Sequence, residues 1–364
     1  MPEILRQGDR DHEGHTLNPL KDTMPKDEFI SAMRCEGTRN RPTYLFDVTL
    51  GMDIAGYTTN ELFVNGLDGE KSARSLLALQ RYVGTDAVNG SVVWIDTREL
   101  GNKVEYPSHG IMYTTKNVLS DDPNLIYRKK KFNVSRESID QVILSHRIVR
   151  ESTDAALVQH IPSPISVAAS MRGFEQFLMD TMSEPDYVDD LLRFTSRVDW
   201  HVAEAVMDEV LPDMCLISGA YDNIDVIGTD MFEKLSIPTM EGLIKRIRRY
   251  DTNVCFHPHG KISDSGTAQR AIRNLKLDCL YYGEYNDPEV LRKKFPKFSL
   301  MGGLDTFTTI ALGDVKRVID DTKAHLDSTS KIENMIFTCS CSVDRGLSHE
   351  KIKTMIDTVK GYRS

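Results

Sequence analysis

The stretch NVCFHPHGK, residues 253–261, closes an apolar run with His257 and His259 two positions apart. Side chains at i and i+2 of a strand share a face, so the two imidazoles look toward one place. Later in the chain NMIFTCSCS, residues 334–342, sets Cys339 and Cys341 at the same spacing. Imidazole and thiolate together suit a borderline cation such as zinc, and a catalytic zinc takes three protein ligands with one position left open. His257, His259 and Cys341 supply such a set, with Cys339 as the alternative thiolate. The competing reading has the two histidines bonded to neighbouring carboxylates; it loses ground once a cysteine pair ends a strand that reaches the same mouth.

Such residues need a scaffold that gathers strand ends. Short β-rich runs alternate with longer amphipathic ones, the pattern of βαβ units and a parallel sheet. The strand candidates are TYLFDVTL (43–50), DAVNGSVVWI (86–95), ALVQHIPS (156–163), DMCLISGAYDN (213–223), NVCFHPHG (253–260), CLYYGEYN (279–286), FSLMGGLD (298–305) and NMIFTCSCS (334–342). Eight strands, most followed by a helical pattern such as GEKSARSLLALQRYVG, predict an α/β fold, a (β/α)8 TIM barrel. KVEYPSHGIMYTTKNVLSDDPNLIYRKKKF lies between the second and third strands and is β-rich and turn-rich, which predicts a hairpin insertion over the barrel mouth. Residues 1–23 read as a polar N-terminal arm and 24–364 as a single barrel domain. In the arm, HEGH (12–15) lacks the HExxH spacing and a helix to carry it, so it reads as a solvated tail. The basic run YRKKKF (127–132) reads as a solvated face. In the closing helix SHEKIKTMIDTVKGY, Ser348 is the expected N-cap, with Lys351 where a capping box would place an acid or amide.

Barrel chemistry sits where strands end, so polar residues at those tips carry weight. Besides the histidines and cysteines, the tips hold Asp47, Thr49, Asp96, His160, Tyr221, Asp222, Glu284 and Asp305. His160 reads equally as a structural histidine or a substrate hydrogen-bond partner. Glu284 reads as a fourth ligand, an acid/base or a salt-bridge partner. With Asp222 these are the candidate catalytic residues. Cys35, Cys215, Cys255 and Cys279 read as small buried hydrophobes.

The composition, 40% hydrophobic and 27% charged over 364 residues, is that of a soluble globular protein. No apolar run reaches the ~18 residues of a membrane span, and MPEILRQGDRDHEGH is too polar for a secretory core, so the expected location is cytoplasmic. A net charge of −9 disfavours nucleic acid, and six cysteines without framework spacing point to free thiols in a reducing compartment.

The order of MDIAGYTTNELF, SPISVAASMRGFEQFLMDTMSEPDYVDDLL, DMFEKLSIPTMEGLIKRI, HPHG, GGLDT and FTCSCSVDRGLSHEKIKTMID resembles the uroporphyrinogen decarboxylase superfamily, more closely its cobalamin-dependent methyltransferase branch. In that branch an HxCG motif after the fifth strand and a cysteine after the eighth bind zinc. The resemblance maps His257 and Gly260 onto the motif, sets His259 where cysteine is usual, and matches Cys341, with Cys339 as the alternative, to the later cysteine. It implies zinc-dependent transfer of a methyl group from a small-molecule donor, favoured as a methoxylated compound such as an aromatic one, to Co(I) of a corrinoid. No DxHxxG corrinoid-binding motif is present, so the corrinoid should be carried by a partner protein. The alternatives are a methylcorrinoid:acceptor methyltransferase acting on a thiol or folate-like acceptor, a uroporphyrinogen-type decarboxylase, and a non-catalytic ligand-binding barrel. The decarboxylase is disfavoured because its RQAGR motif is replaced by RPTYLFDVTLGMD, which lacks the cations a porphyrinogen polyacid requires. A homodimer is left open.

Overall fold

The computed structural model describes residues 24–128 and 134–362; the N-terminal arm with HEGH and most of the basic run at 127–132 lie outside the described residues. Among the described residues nine strands form in chain order: β1 Ala87–Asn89, β2 Lys103–Glu105, β3 Tyr113–Lys116, β4 Ala156–Pro162, β5 Met214–Gly219, β6 Asn253–Pro258, β7 Cys279–Tyr281, β8 Ser299–Leu304 and β9 Met335–Cys339. Seven of them make one parallel sheet in the order β1-β4-β5-β6-β7-β8-β9, and helices intervene between neighbours, giving a TIM-barrel-like α/β fold.

The first expected strand, TYLFDVTL, is not a regular strand, yet its chain takes the eighth place. Tyr44 N–H donates to the Phe337 carbonyl at 3.0 Å and Phe337 N–H to Pro42 at 2.8 Å, while on the other side Asp86 N–H donates to Thr43 at 3.0 Å. Pro42 has no N–H for a ladder, and Asp47 N–H turns back to the Leu45 carbonyl at 2.9 Å, so pairing stays local. The second expected strand shortens to Ala87–Asn89. A Cβ on Gly90 would come within 2.0 Å of the His146 ring, a close approach only glycine allows there.

Alternation along the strands sorts the core into two layers. Val158, Met214, Leu216, Cys255, Cys279, Tyr281, Met301 and Ile336 fill the barrel interior with Tyr44. Their neighbours, among them Cys215, Val254, Leu280 and Leu300, pack outward on the helices. Capping residues set helix starts: Asp68, Ser135, Ser265, Asp314 and Ser348 each accept a backbone N–H of the first turn. Lys351, the residue out of place for a capping box, donates its Nζ to the Ile310 and Ala311 carbonyls at 2.8 and 3.1 Å.

The segment between β1 and β4 carries the antiparallel β2–β3 pair. Its turn is tied down on the barrel's loops: Thr59 donates to the Gly110 carbonyl at 2.7 Å, and Arg345 donates to the Ser108 carbonyl at 3.3 Å. Arg345 also donates to Asp53 at 2.7 Å and to the Tyr57 carbonyl at 3.0 Å. Among the described residues no helix is long and apolar enough to cross a membrane.

Candidate metal centre

His257 lies on the inner face of β6, and the chain turns just past it at Gly260. That glycine has φ +94°, and a Cβ there would sit 2.7 Å from both Asn223 Oδ1 and Ile224 Cγ1. The turn is held further by Ile224 N–H donating to the His259 carbonyl at 3.1 Å and by Asn286 donating to the Gly260 carbonyl at 3.0 Å. His259 is thereby folded back beside His257, with ring centroids 4.5 Å apart.

Each imidazole spends one nitrogen on the backbone. His257 Nδ1 is 3.1 Å from the Tyr281 carbonyl, and His259 Nδ1 is 3.1 Å from the Gly219 carbonyl. A carbonyl can only accept, so both Nδ1 carry the proton and both Nε2 keep a lone pair. His257 Nε2 is buried without a partner, and His259 Nε2 is 3.5 Å from Cys341 Sγ. The donor atoms of His257, His259 and Cys341 all lie within 4.8 Å of one another. Two imidazole nitrogens and a thiolate are a zinc-competent set, and an orphaned buried nitrogen aimed into it is what a ligand position looks like without its ion. The residues fit the metal.

Electrostatics agree with ligation. Burial pushes the His259 pKa down, offset in part by the Gly219 carbonyl and the charges of Glu284 and Asp222, so the ring is neutral. Burial would raise the Cys341 thiol, but the His257 imidazole and the Ser342 backbone and hydroxyl outweigh it, and the net shift is downward, toward thiolate.

Cys339 is not in the cluster. Strand β9 ends at Cys339, and the chain bends before Cys341, so the i, i+2 rule no longer holds and the two thiols part. Cys339 faces outward with Phe337, its sulfur 3.9 Å from Met355 Sδ, and burial pushes its thiol up to about 12. The expectation that both cysteines share one face is corrected accordingly.

The remaining tips separate into roles. His160, on the inner face of β4, hydrogen-bonds Ser218 Oγ through Nε2 at 2.6 Å and packs on Phe46; burial first, with the neighbouring His257 imidazole adding, lowers its pKa to about 3. Ser218 is the register partner of His257, so His160 is one residue removed from the cluster. Asp222 is fully buried beneath the β5 tip, accepts a hydrogen bond from Ser236, and has its pKa raised by burial against the opposing Ser163 and Ser236 hydroxyls. Glu284 is exposed on the loop after β7 and is not one of the clustered donors. Asp96 is taken up by Arg98 and Tyr106, and Asp305 caps the turn after β8, with Phe307 and Thr308 N–H donating to it. Asp47 is buried, and its pKa is raised to about 8 by burial, the Gly51 N–H opposing.

One residue sequence reasoning missed is Tyr281. Its carbonyl orients His257, its ring stacks on that imidazole at 3.9 Å, and its hydroxyl donates to the Cys339 and Cys341 carbonyls at 2.8 and 3.2 Å. Tyr281 therefore grips both halves of the centre. The only signal available was a tyrosine on the inner face of a strand next to the histidine strand.

Fold and site together define a TIM-barrel-like protein with a His-His-Cys cluster at the C-terminal mouth of its sheet. The chain belongs to the uroporphyrinogen decarboxylase (URO-D) family, whose model matches residues 24–362. Among solved structures it is similar to a methyltransferase from Methanosarcina mazei, at TM-score 0.79 and 15% identity over 93% of this chain and 99% of that one. It is also similar to a B12-independent methionine synthase from Shewanella sp. W3-18-1 in complex with selenomethionine, at TM-score 0.52 and 13% identity over 89% and 94% of the two chains. No curated protein matches significantly.

Proposed function

We propose that this chain is a cytoplasmic methyltransferase of the family's corrinoid-dependent branch, holding zinc through His257, His259 and Cys341. It moves a methyl group from a methylated donor, favoured as a methoxylated compound, to Co(I) of a corrinoid on a partner protein. The observation that carries this reading is the convergence of three donor atoms within 4.8 Å, with both histidine tautomers set by backbone carbonyls. Zinc at such a site supplies Lewis acidity toward the heteroatom that bears the methyl group.

The chain's own residues do the rest. In that transfer the donor's C–O bond would break with its electron pair staying on oxygen, which takes up a proton, and the methyl carbon would pass to the partner's Co(I) as the substrate that supplies both electrons of the new bond. Glu284 lies close enough for its charge to act on His259 and is exposed to water, which suits orienting a water molecule that brings that proton. His160 is neutral and anchored to Ser218, so it positions by hydrogen bonding rather than by proton transfer. Asp222 underpins the loop that carries the His259 acceptor. Tyr221, Tyr285, Phe307 and Leu312 are exposed on the loops after β5, β7 and β8 and offer apolar contact to a protein docking at the mouth.

The expected result of elemental analysis is one zinc per chain, lost in His259→Ala and in Cys341→Ala and kept in Cys339→Ala. Retention of full zinc by both of the first two variants would sink the assignment. With Co(I) corrinoid protein, methoxylated donors should give methylated corrinoid, read by its absorption spectrum. Activity with methylamines or thioethers and none with ethers would overturn the donor class, and consumption of preformed methylcorrinoid by a thiol or folate-like acceptor would reverse the direction.

A further inference from the structure

A cavity of about 290 Å³ opens between the β4 tip, the chain after β1 and the β2–β3 hairpin, and its link to the His-His-Cys cluster is His160, which bonds Ser218, the register partner of His257. Val48, Val92, Trp94, Ile95, Met112 and His160 line it, and none of its lining residues is Asp, Glu, Lys or Arg. His160 is the one imidazole in the wall, and burial holds it neutral at ordinary pH. The wall as a whole carries no charge.

Two further observations say what it would hold. The wall is mostly aliphatic, and the polar side chains in it, Thr97, Tyr113, Thr114, Ser166 and Ser170 beside His160, are uncharged, so the hydrogen bonds it can offer come from neutral hydroxyls. The hairpin contributes Val104, Met112 and Tyr113, so one side of the cavity is made by the segment that Arg345 and Thr59 tie to the barrel loops. Apolar cavities of ~150 Å³ already hold benzene, so this volume takes one substituted ring.

We propose that this cavity binds an uncharged single-ring compound carrying an oxygen acceptor, with Met112 and Val104 of the hairpin setting specificity for it. That ring is the aryl part of a methoxylated donor, an assignment that rests on the methyl-transfer reading; the binding itself does not. A carboxylate would meet no cation here. A methylated ammonium could stack on Trp94 or Tyr113, but it would find no counter-charge and mostly aliphatic neighbours.

The test uses the full chain with Trp200→Phe, which leaves Trp94 as the sole tryptophan. Methoxybenzene, toluene, tetramethylammonium and benzoate are titrated against its fluorescence, with and without zinc. Methoxybenzene should saturate the signal in both forms, toluene more weakly, and the two ions should bind at least tenfold more weakly than methoxybenzene. Met112→Asp and Val104→Asp, on the partly exposed hairpin, should each weaken methoxybenzene at least tenfold with circular dichroism and zinc content unchanged. Equal binding of either ion, or methoxybenzene affinity unmoved in both variants, would overturn the proposal. Ring binding without any methyl transfer to Co(I) would leave the cavity assignment standing and remove the methyl-transfer reading, and transfer from a non-aromatic donor without ring binding would do the reverse.

Discussion

At the scale of single residues, the centre depends on groups that never touch a ligand. Tyr281 is the clearest: its backbone carbonyl survives substitution, but its hydroxyl holds the Cys341 carbonyl at 3.2 Å. Outer partners of metal sites are worth about 10–100-fold in affinity. Tyr281→Phe should therefore keep the zinc stoichiometry while weakening affinity by a factor in that range, measured by competition with a chromophoric chelator; unchanged affinity would make the hydroxyl merely structural. A different residue carries cost without service. Asp199, in the helix Pro185–Glu209, is fully buried with neither carboxylate oxygen partnered, and burial raises its pKa well above normal. The folded protein then binds that proton more tightly than the unfolded chain does. Its stability contribution is full below the unfolded pKa of about 4 and is lost as pH rises toward the folded value. Asp199→Asn should match the parent in urea unfolding at pH 4 and exceed it at pH 8, and an equal midpoint at pH 8 would refute the account.

At the scale of elements, Arg345 follows Cys341 by one short loop and joins it to the hairpin. It is nearly buried, pairs with Asp53, and reaches the Tyr57 and Ser108 carbonyls. Arg345→Ala should raise amide hydrogen exchange across 103–116 by about tenfold or more, equivalent to ~1.4 kcal/mol of lost local stability, and leave β4 to β6 protected. Exchange spread evenly over the barrel would show global destabilisation instead. The elements were read with uneven success from the sequence, and the reasons are physical. HPHG was legible because inner-face periodicity and a glycine turn are local properties, and the strands from β4 to β9 were legible because apolar runs between capped helices recur. TYLFDVTL misled because its apolar residues are buried as expected while Pro42 and the turn at Leu45–Asp47 break its ladder. The helical pattern of MFEKLSIPTMEGLIKRIRRYD gives no sign that Phe232–Ser236 winds as a π-turn ahead of Pro238, whose missing N–H interrupts the usual bonding. Cys339 and Cys341 could not be told apart because their separation depends on where β9 stops, and no local signal marks that bend.

At the scale of the whole molecule, the metal would tie β6 to the chain after β9, two points 82 residues apart. A ligand that binds only the folded state stabilises it by about 2.7 kcal/mol at one hundred times its dissociation constant. For a chain of this size that is about 4 °C in melting temperature. A chelator should lower the melting temperature of the parent by about this much and leave Cys341→Ala unmoved; an identical shift in both would mean the chelator acts elsewhere. The irregular closing segment has a consequence of another kind. Tyr44 is synthesised long before its partner Phe337, so the sheet stays open beside β1 while the intervening chain is made. An unpaired parallel edge with an apolar face is a template for wrong partners. The residues between Pro42 and Val48 are therefore left waiting on the ribosome, and the broken pairing that hides them from a strand search also makes them a poor template for a neighbouring nascent chain.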